Sequence, residues 1–225
     1  MKRSVLFDTE TTGFDPEKGD RVIEIAALEL IDDMPTGEAF HVLIDPERDV
    51  PEEATRVHGF TAADLAGKPK FAAVAEGFIE FVQDSSLIAH NARFDFKFMN
   101  AELKKAGYPT LDMSRMVDTL DMARERFPGM PNSLDALCRR FGVDLSARTT
   151  HNALLDCKLL ADVYVELMGG RQRGLGLTAD DEQQLAGAVY SGPAHRRVIR
   201  IVPSEQELTA HHAFLEKLDN PLWSR

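Results

Sequence analysis

Hydrophobic positions follow two periods along the chain, and the two periods predict its elements. Val5-Leu6-Phe7 open a strand predicted over 3–9. Val22, Ile23, Ile25, Ala26, Leu28 and Leu30 predict a second strand over 21–31, entered through the turn-rich stretch Asp15 to Asp20. Phe40-His41-Val42-Leu43-Ile44 predict a third over 38–45, with Pro35 and Gly37 as the hairpin turn before it. A short helix is expected after Pro51, ending near His58-Gly59.

Phe71, Val74, Phe78, Phe81 and Val82 recur at helical spacing and predict a helix over 71–83. Leu87-Ile88-Ala89 is a short strand. Asn91 or a neighbour is expected to cap a helix over 92–107, with Gly107 as its stop. Asp118 is placed as the cap of a helix over 119–127, and Asn132 to Asp135 resemble a capping box ahead of Leu137, Cys138 and Phe141. A last helix over 152–169 carries Leu155, Leu159, Val163 and Leu167 on one stripe.

Strands mixed with helices in this order predict an α/β fold for residues 1–169. Gly169-Gly170 ends the pattern. Residues 170–195 hold few large apolar side chains and read as a flexible linker. Residues 196–225 form a small terminal segment, with a strand expected over 198–202, a helix over 204–219 and the lone tryptophan at Trp223.

Composition narrows the functional classes. Apolar residues make up 44% and charged residues 28% of the 225 positions, as in an ordinary globular protein. The net charge of −11 argues against tight nucleic-acid binding through a broad basic surface. The last 56 residues carry equal numbers of acids and bases, so the negative charge lies on the first 169. Cys138 and Cys157 fall in helical sequence and suit reduced core thiols. No apolar run is long enough to span a bilayer and no signal-type segment follows Met1, so the expected location is the cytoplasm, with no membrane partner.

Candidate chemistry begins at the end of the first strand. Asp8 and Glu10 are two apart, so they point to one face. Paired carboxylates repel and are costly to desolvate unless a cation cancels them, and all-oxygen donors suit magnesium or manganese. Asp95 stands beside the inner stripe of its helix and Asp156 near the start of another, with His151 just ahead of it. Singly, each has an ordinary explanation as a cap or a helix-dipole partner. Together, four carboxylates suit two divalent cations of the kind that cleave phosphodiesters, and a histidine beside them suits a general base.

Three stretches bring a resemblance into view. Phe7-Asp8-Thr9-Glu10-Thr11-Thr12-Gly13, His90-Asn91-Ala92-Arg93-Phe94-Asp95 and His151-Asn152-Ala153-Leu154-Leu155-Asp156 closely resemble the three exonuclease motifs of the DEDD superfamily, histidine subtype. The resemblance spans nearly all of 1–169. It implies a ribonuclease H-like mixed sheet flanked by helices and a 3′→5′ exonuclease using two divalent cations, Mg2+ or Mn2+. In it Asp8, Glu10, Asp95 and Asp156 would hold the metals, and His151 would be the general base.

Within the superfamily the chain is most similar to the ε-subunit family, the proofreading exonucleases of bacterial DNA polymerase III. Glu52 to Gly59, Asn132 to Cys138 and the Leu222-Trp223 ending carry that likeness. It implies that Glu53 and His58, with Asp8, Glu10 and Asp156, contact the terminal nucleotide at a DNA 3′ end. It also implies that Gln172, Leu175 and Leu177 form a peptide for the β sliding clamp, and that 196–225 docks on the polymerase α (catalytic) subunit. A small accessory subunit is a further partner it leaves room for. Two rivals remain at this point: a stand-alone exonuclease trimming RNA or oligonucleotides on the same site, and a non-catalytic scaffold between clamp and polymerase.

Overall fold

A computed structural model describes residues 2–146, 148, 150–170 and 203–217. The chain divides into two units, Met1–Gly174 and Leu175–Arg225.

The first unit is built on a mixed five-stranded sheet. Its strands are β1 (Arg3–Thr11), β2 (Val22–Ile31), β3 (Met34–Leu43), β4 (Ser86–Ala89) and β5 (Met116–Asp118), in the order β3-β2-β1-β4-β5. β2 runs antiparallel to both β1 and β3, while β4 is parallel to β1 and β5 to β4. Its helices are α1 (Glu52–His58), α2 (Ala62–Leu65), α3 (Phe71–Val82), α4 (Ala92–Ala106), α5 (Thr119–Arg126), α6 (Leu134–Phe141) and α7 (Ala153–Leu167).

β1 lies at the centre with helices over both faces, so its sequence is an apolar run rather than an alternation. Val5 and Phe7 join a cluster with Phe71 and Phe78 of α3 and Phe96 and Met99 of α4. Leu6 points the other way, into a cluster with Leu137 of α6 and Cys157 and Leu160 of α7. Asp8 and Glu10 continue the Leu6 face and therefore arrive on the α7 side of the sheet. Both cysteines are free and buried, as their helical setting predicts.

The hairpin turn is not where the sequence places it. Asp32 and Asp33, at φ 49° and 67°, form a two-residue loop, and β3 starts directly after them. Two positive-φ residues match the right-handed twist of the paired strands. Pro35 and Gly37 consequently sit inside β3, an edge strand, where a residue without an N–H is tolerated.

β5 and α2 were not expected; with three and four residues they are too short to show a period. The reciprocal capping box belongs to α2, between Thr61 and Asp64, whereas at α6 only Ser133 caps, accepting from Ala136 N–H. Asn91 does not cap α4 with its side chain. It adopts the left-handed conformation (φ 67°), and its N–H donates to Asp118 Oδ1 at 3.0 Å.

Of the second unit, α8 (Glu205–Leu215) is described, with Ser204 and Glu207 forming its capping box. The expected strand over 198–202, Trp223 and the clamp-type peptide Gln172, Leu175, Leu177 lie outside the described residues. No helix among the described residues is long and apolar enough to cross a membrane.

Candidate active site

At the C-terminal end of β1, a cleft of about 700 Å³ is lined by Asp8, Glu10, Asp95, His151 and Asp156, with Glu53 and His58 on α1. Residues separated by up to 148 positions in sequence are thus brought to one opening. Three local arrangements bring them there.

The first is the β1 end. After Thr11 the chain turns sharply: Thr11 Oγ1 donates to Gly13 O at 2.6 Å and Thr12 N–H to Arg21 O at 2.9 Å. Gly13 lies so close to Asp20 that a Cβ would fall 2.4 Å from the Asp20 carboxylate. The glycine is thus required by a close approach and needs no unusual φ. Phe14 follows on the rim, 85% exposed.

The second is α4. Its first turn lies against β1, and Asp95 Oδ1 accepts from both Thr9 N–H (3.1 Å) and Thr9 Oγ1–H (2.8 Å). Thr9 points away from Asp8 and Glu10 along the strand, so Asp95 reaches the site from the opposite face of the sheet. The third is α7. Asn152 caps it by accepting from Leu155 N–H at 3.0 Å, and Asp156 stands in its first turn, 4% exposed. His151, just ahead of the cap, is half exposed, and its backbone N–H donates to Val57 O at 3.0 Å. That bond ties the histidine segment to the end of α1.

Two charged residues that sequence reasoning missed complete the site. Glu24 on β2 is fully buried and lies opposite Glu10 in the strand register. It accepts from Asn152 Nδ2 (3.0 Å) and Ala153 N–H (3.0 Å), and it pairs with His41 Nε2 at 2.7 Å. A carboxylate from the sheet thereby anchors the start of α7. Its one sequence signal was a charge interrupting the run Val22-Ile23-Glu24-Ile25-Ala26.

Arg148, three residues before His151, has a side chain 9% exposed. It grips Asp156 with two bonds, Nε to Oδ1 at 2.6 Å and Nη2 to Oδ2 at 2.7 Å. It also donates to Asp135 Oδ1 and to His151 Nδ1, the latter at 2.8 Å. Nothing in the hydrophobic pattern marks it.

The electrostatics follow from crowding. Burial, then the charges of Asp156, Glu24 and Asp95, push the Glu10 carboxyl up to about 8. Burial, then Asp95 and Glu10, raise Asp8 well above the usual carboxylate range. Burial raises Asp95 against the pull of its Thr9 bonds. Asp156 goes the other way. Burial opposes its ionisation, but Arg148 and His151 outweigh that and hold it below its ordinary value.

Carboxylates that resist ionising side by side are a donor set made for a cation. Glu10, His151 and Asp156 offer ligand atoms within 4.8 Å of one another, so the residues present fit divalent metal.

His58 is buried, and its Nδ1 accepts from Phe60 N–H at 3.1 Å. A neutral imidazole in that bond carries its proton on Nε2, which has no protein partner. Burial, then the neighbouring His151, lower its pKa, which favours that neutral form. Glu53 stands exposed on the cleft wall. Phe94, half-buried, lines the cleft and packs on Phe98 at 4.9 Å between ring centroids, serving cleft and core together.

A mixed sheet in this strand order, with four carboxylates and a histidine at the end of its central strand, defines a nuclease of ribonuclease H-like fold. Residues 5–164 match the exonuclease family model. A DNA polymerase III subunit epsilon of Rickettsia felis is 46% identical over 221 residues, covering 96% of each chain. That of Escherichia coli is 38% identical, covering 96% of this chain and 93% of the relative.

Among solved structures, exonuclease X in complex with 5′ overhanging duplex DNA aligns with a TM-score of 0.58 at 26% identity, over 83% of this chain and 100% of that one. The zinc-bound Escherichia coli exonuclease I complex with single-stranded DNA has a TM-score of 0.64 at 20% identity, over 75% of this chain and 41% of that one, a likeness of fold. The chain belongs to the exonuclease family, in its DNA polymerase III ε-subunit branch, and is a 3′→5′ exonuclease of the proofreading kind. Members of this family depend on divalent metal.

Proposed function

We propose that the chain removes mismatched nucleotides from DNA 3′ ends, with Asp8, Glu10, Asp95 and Asp156 holding two divalent cations, Mg2+ or Mn2+. The observation that carries this reading is the meeting of these four carboxylates and His151 in one cleft. Two cations bound there would polarise the scissile phosphate and stabilise charge on the attacking and leaving oxygens. His151, half exposed at the opening, takes the proton of the attacking water. His58 donates Nε2–H to an oxygen of the terminal nucleotide, and exposed Glu53 accepts from its 3′ hydroxyl. Phe14 offers an apolar face to a base at the rim.

A frayed, mispaired end enters such a cleft more readily than a paired one, because its unpairing costs less. The acidic surface repels the DNA backbone, so retention at the primer falls to partners. On this reading 1–169 is the nuclease, and 170–195 is a linker whose Gln172, Leu175 and Leu177 engage the β clamp. Residues 196–225, which include α8 with Leu208 and Phe214 exposed, then dock on the α subunit; a small accessory subunit is a further candidate partner.

The deciding experiment is hydrolysis of 3′-mismatched and matched DNA, and of RNA of the same sequence, with Mg2+ or Mn2+. Faster release from the mismatched DNA end is expected, with no hydrolysis by Asp8→Ala protein. Undiminished cleavage by that variant, or a preference for RNA, would overturn the reading. Removal of 171–225 is expected to spare hydrolysis and abolish capture by the polymerase catalytic subunit.

A further inference from the structure

Asp156 is already paired with a cation that the protein itself supplies. Both oxygens of Asp156 are taken by one guanidinium, at 2.6 and 2.7 Å, deep enough that neither partner is more than 9% exposed. A divalent ion held by Glu10 and Asp156 needs one of those same oxygens. Two cations on one carboxylate repel, and at low exposure water does little to screen them. We propose that Arg148 is an exchangeable internal cation, which competes with divalent metal for Asp156 and governs the proton arrangement of His151. This rests on the metal-holding role given to the carboxylates above.

The second half of the proposal follows from donor chemistry. A guanidinium can only donate, so the 2.8 Å contact makes His151 Nδ1 an acceptor. The neutral ring then carries its proton on Nε2, and that nitrogen has no lone pair with which to take a proton from water. His151 Nδ1 also lies 3.3 Å from Asp156 Oδ2. Once Arg148 leaves, Nδ1–H donates to that oxygen, and Nε2 becomes the acceptor a general base requires. One displacement therefore opens the carboxylate and sets the base.

The guanidinium also has somewhere to go. A second cleft of about 400 Å³, sharing Val57 and His151 with the first, is lined by Arg56, Val57, Asp135, Arg148, Thr150 and His151. Asp135, its side chain 40% exposed, already holds Arg148 Nη1, so the arginine can turn outward without losing its ion pair. Arg56, the other cation of that cleft, is occupied by Glu52 at 3.7 Å. Arg148 is thus a positioning residue acting through Asp156 and His151.

The test uses the full-length chain stripped of metal, with Mn2+ as the probe. Arg148→Met keeps length and removes charge, and Mn2+ binding followed by electron paramagnetic resonance should tighten about tenfold, the loss of one competing ion pair. Arg148→Lys, which keeps charge without the two-bond grip, should fall between. Nitrogen-15 imidazole shifts should show His151 protonated on Nε2 in metal-free wild type and on Nδ1 in Arg148→Met. Adding Mg2+ to wild type should produce the same conversion, a measurement that needs no variant to fold. Equal or weaker Mn2+ binding by Arg148→Met, or Nδ1–H in metal-free wild type, would overturn the proposal. Wild type that binds no Mn2+ at all would instead sink the metal reading beneath it.

Discussion

Asp95 and Asp156 occupy the same place in two helices. Each is the fourth residue of its element, and each reaches the cleft from the first turn of a helix directed at the end of β1. Their surroundings are opposite. Asp95 is held by neutral donors, the N–H and hydroxyl of Thr9, and burial raises its pKa. Asp156 is held by a guanidinium through two bonds, with the His151 ring 3.3 Å away, and its pKa is lowered despite burial. Two residues of one type and one helical position thus make one pole short of positive charge and one already supplied with it. Similarity of local sequence does not determine electrostatics; the charges delivered by other segments do.

The largest effects should erase this contrast. Asp95→Asn and Asp156→Asn should each lower 3′→5′ hydrolysis by about 10³-fold or more, since carboxylates acting as a unit fail together. Steady-state rates on a single-stranded oligonucleotide check this, and an active Asp95→Asn would remove α4 from the site. His151→Ala should cost roughly 10²–10⁴-fold in kcat while Mn2+ binding persists, the pattern of a proton acceptor rather than a principal ligand.

Stability should separate the two poles. In metal-free protein near neutral pH, Asp156→Asn should destabilise by about 2 kcal/mol, because Arg148 loses its two-bond carboxylate and keeps only Asp135. Asp95→Asn should raise the melting temperature by a few degrees, because the amide still accepts from Thr9 and no longer resists ionisation. Calorimetry on both variants decides, and equal shifts would deny the asymmetry.

The pH dependence carries the same signature. With Glu10 pushed up to about 8 from 4.5, the folded state keeps a proton that the unfolded chain loses across that window. Metal-free stability should therefore fall as pH rises from 4.5 to 8, by about 1.4 kcal/mol per pH unit for each retained proton. Saturating divalent metal should flatten the slope, and urea melts across the range would show it. The smallest effect should come from Thr9→Val, which removes the hydroxyl bond to Asp95 at a cost of about 1 kcal/mol, read by the same melts.

Much of this molecule is written in its hydrophobic pattern. The central strand, the helices over 71–83, 92–107 and 152–169, and the common face of Asp8 and Glu10 follow from periods that local sterics impose. Asp95 and Asp156 were also legible, because carboxylates beside apolar stripes invite explanation, and His151 became legible only in combination with them. Two departures were local as well: the turn at Asp32-Asp33 and the left-handed conformation of Asn91 at its cap position rest on polar residues tolerating positive φ, which the pattern of apolar residues does not report.

The balance of charge within the cleft, by contrast, arises only when the chain folds. Glu24 takes its meaning from Asn152, 128 positions away, and Arg148 from the carboxylates that α6 and α7 fold around it. Periodicity tells which face a side chain presents. The strength of an ionic contact depends on distance and on the exclusion of water, and neither exists until the distant segments close upon one another.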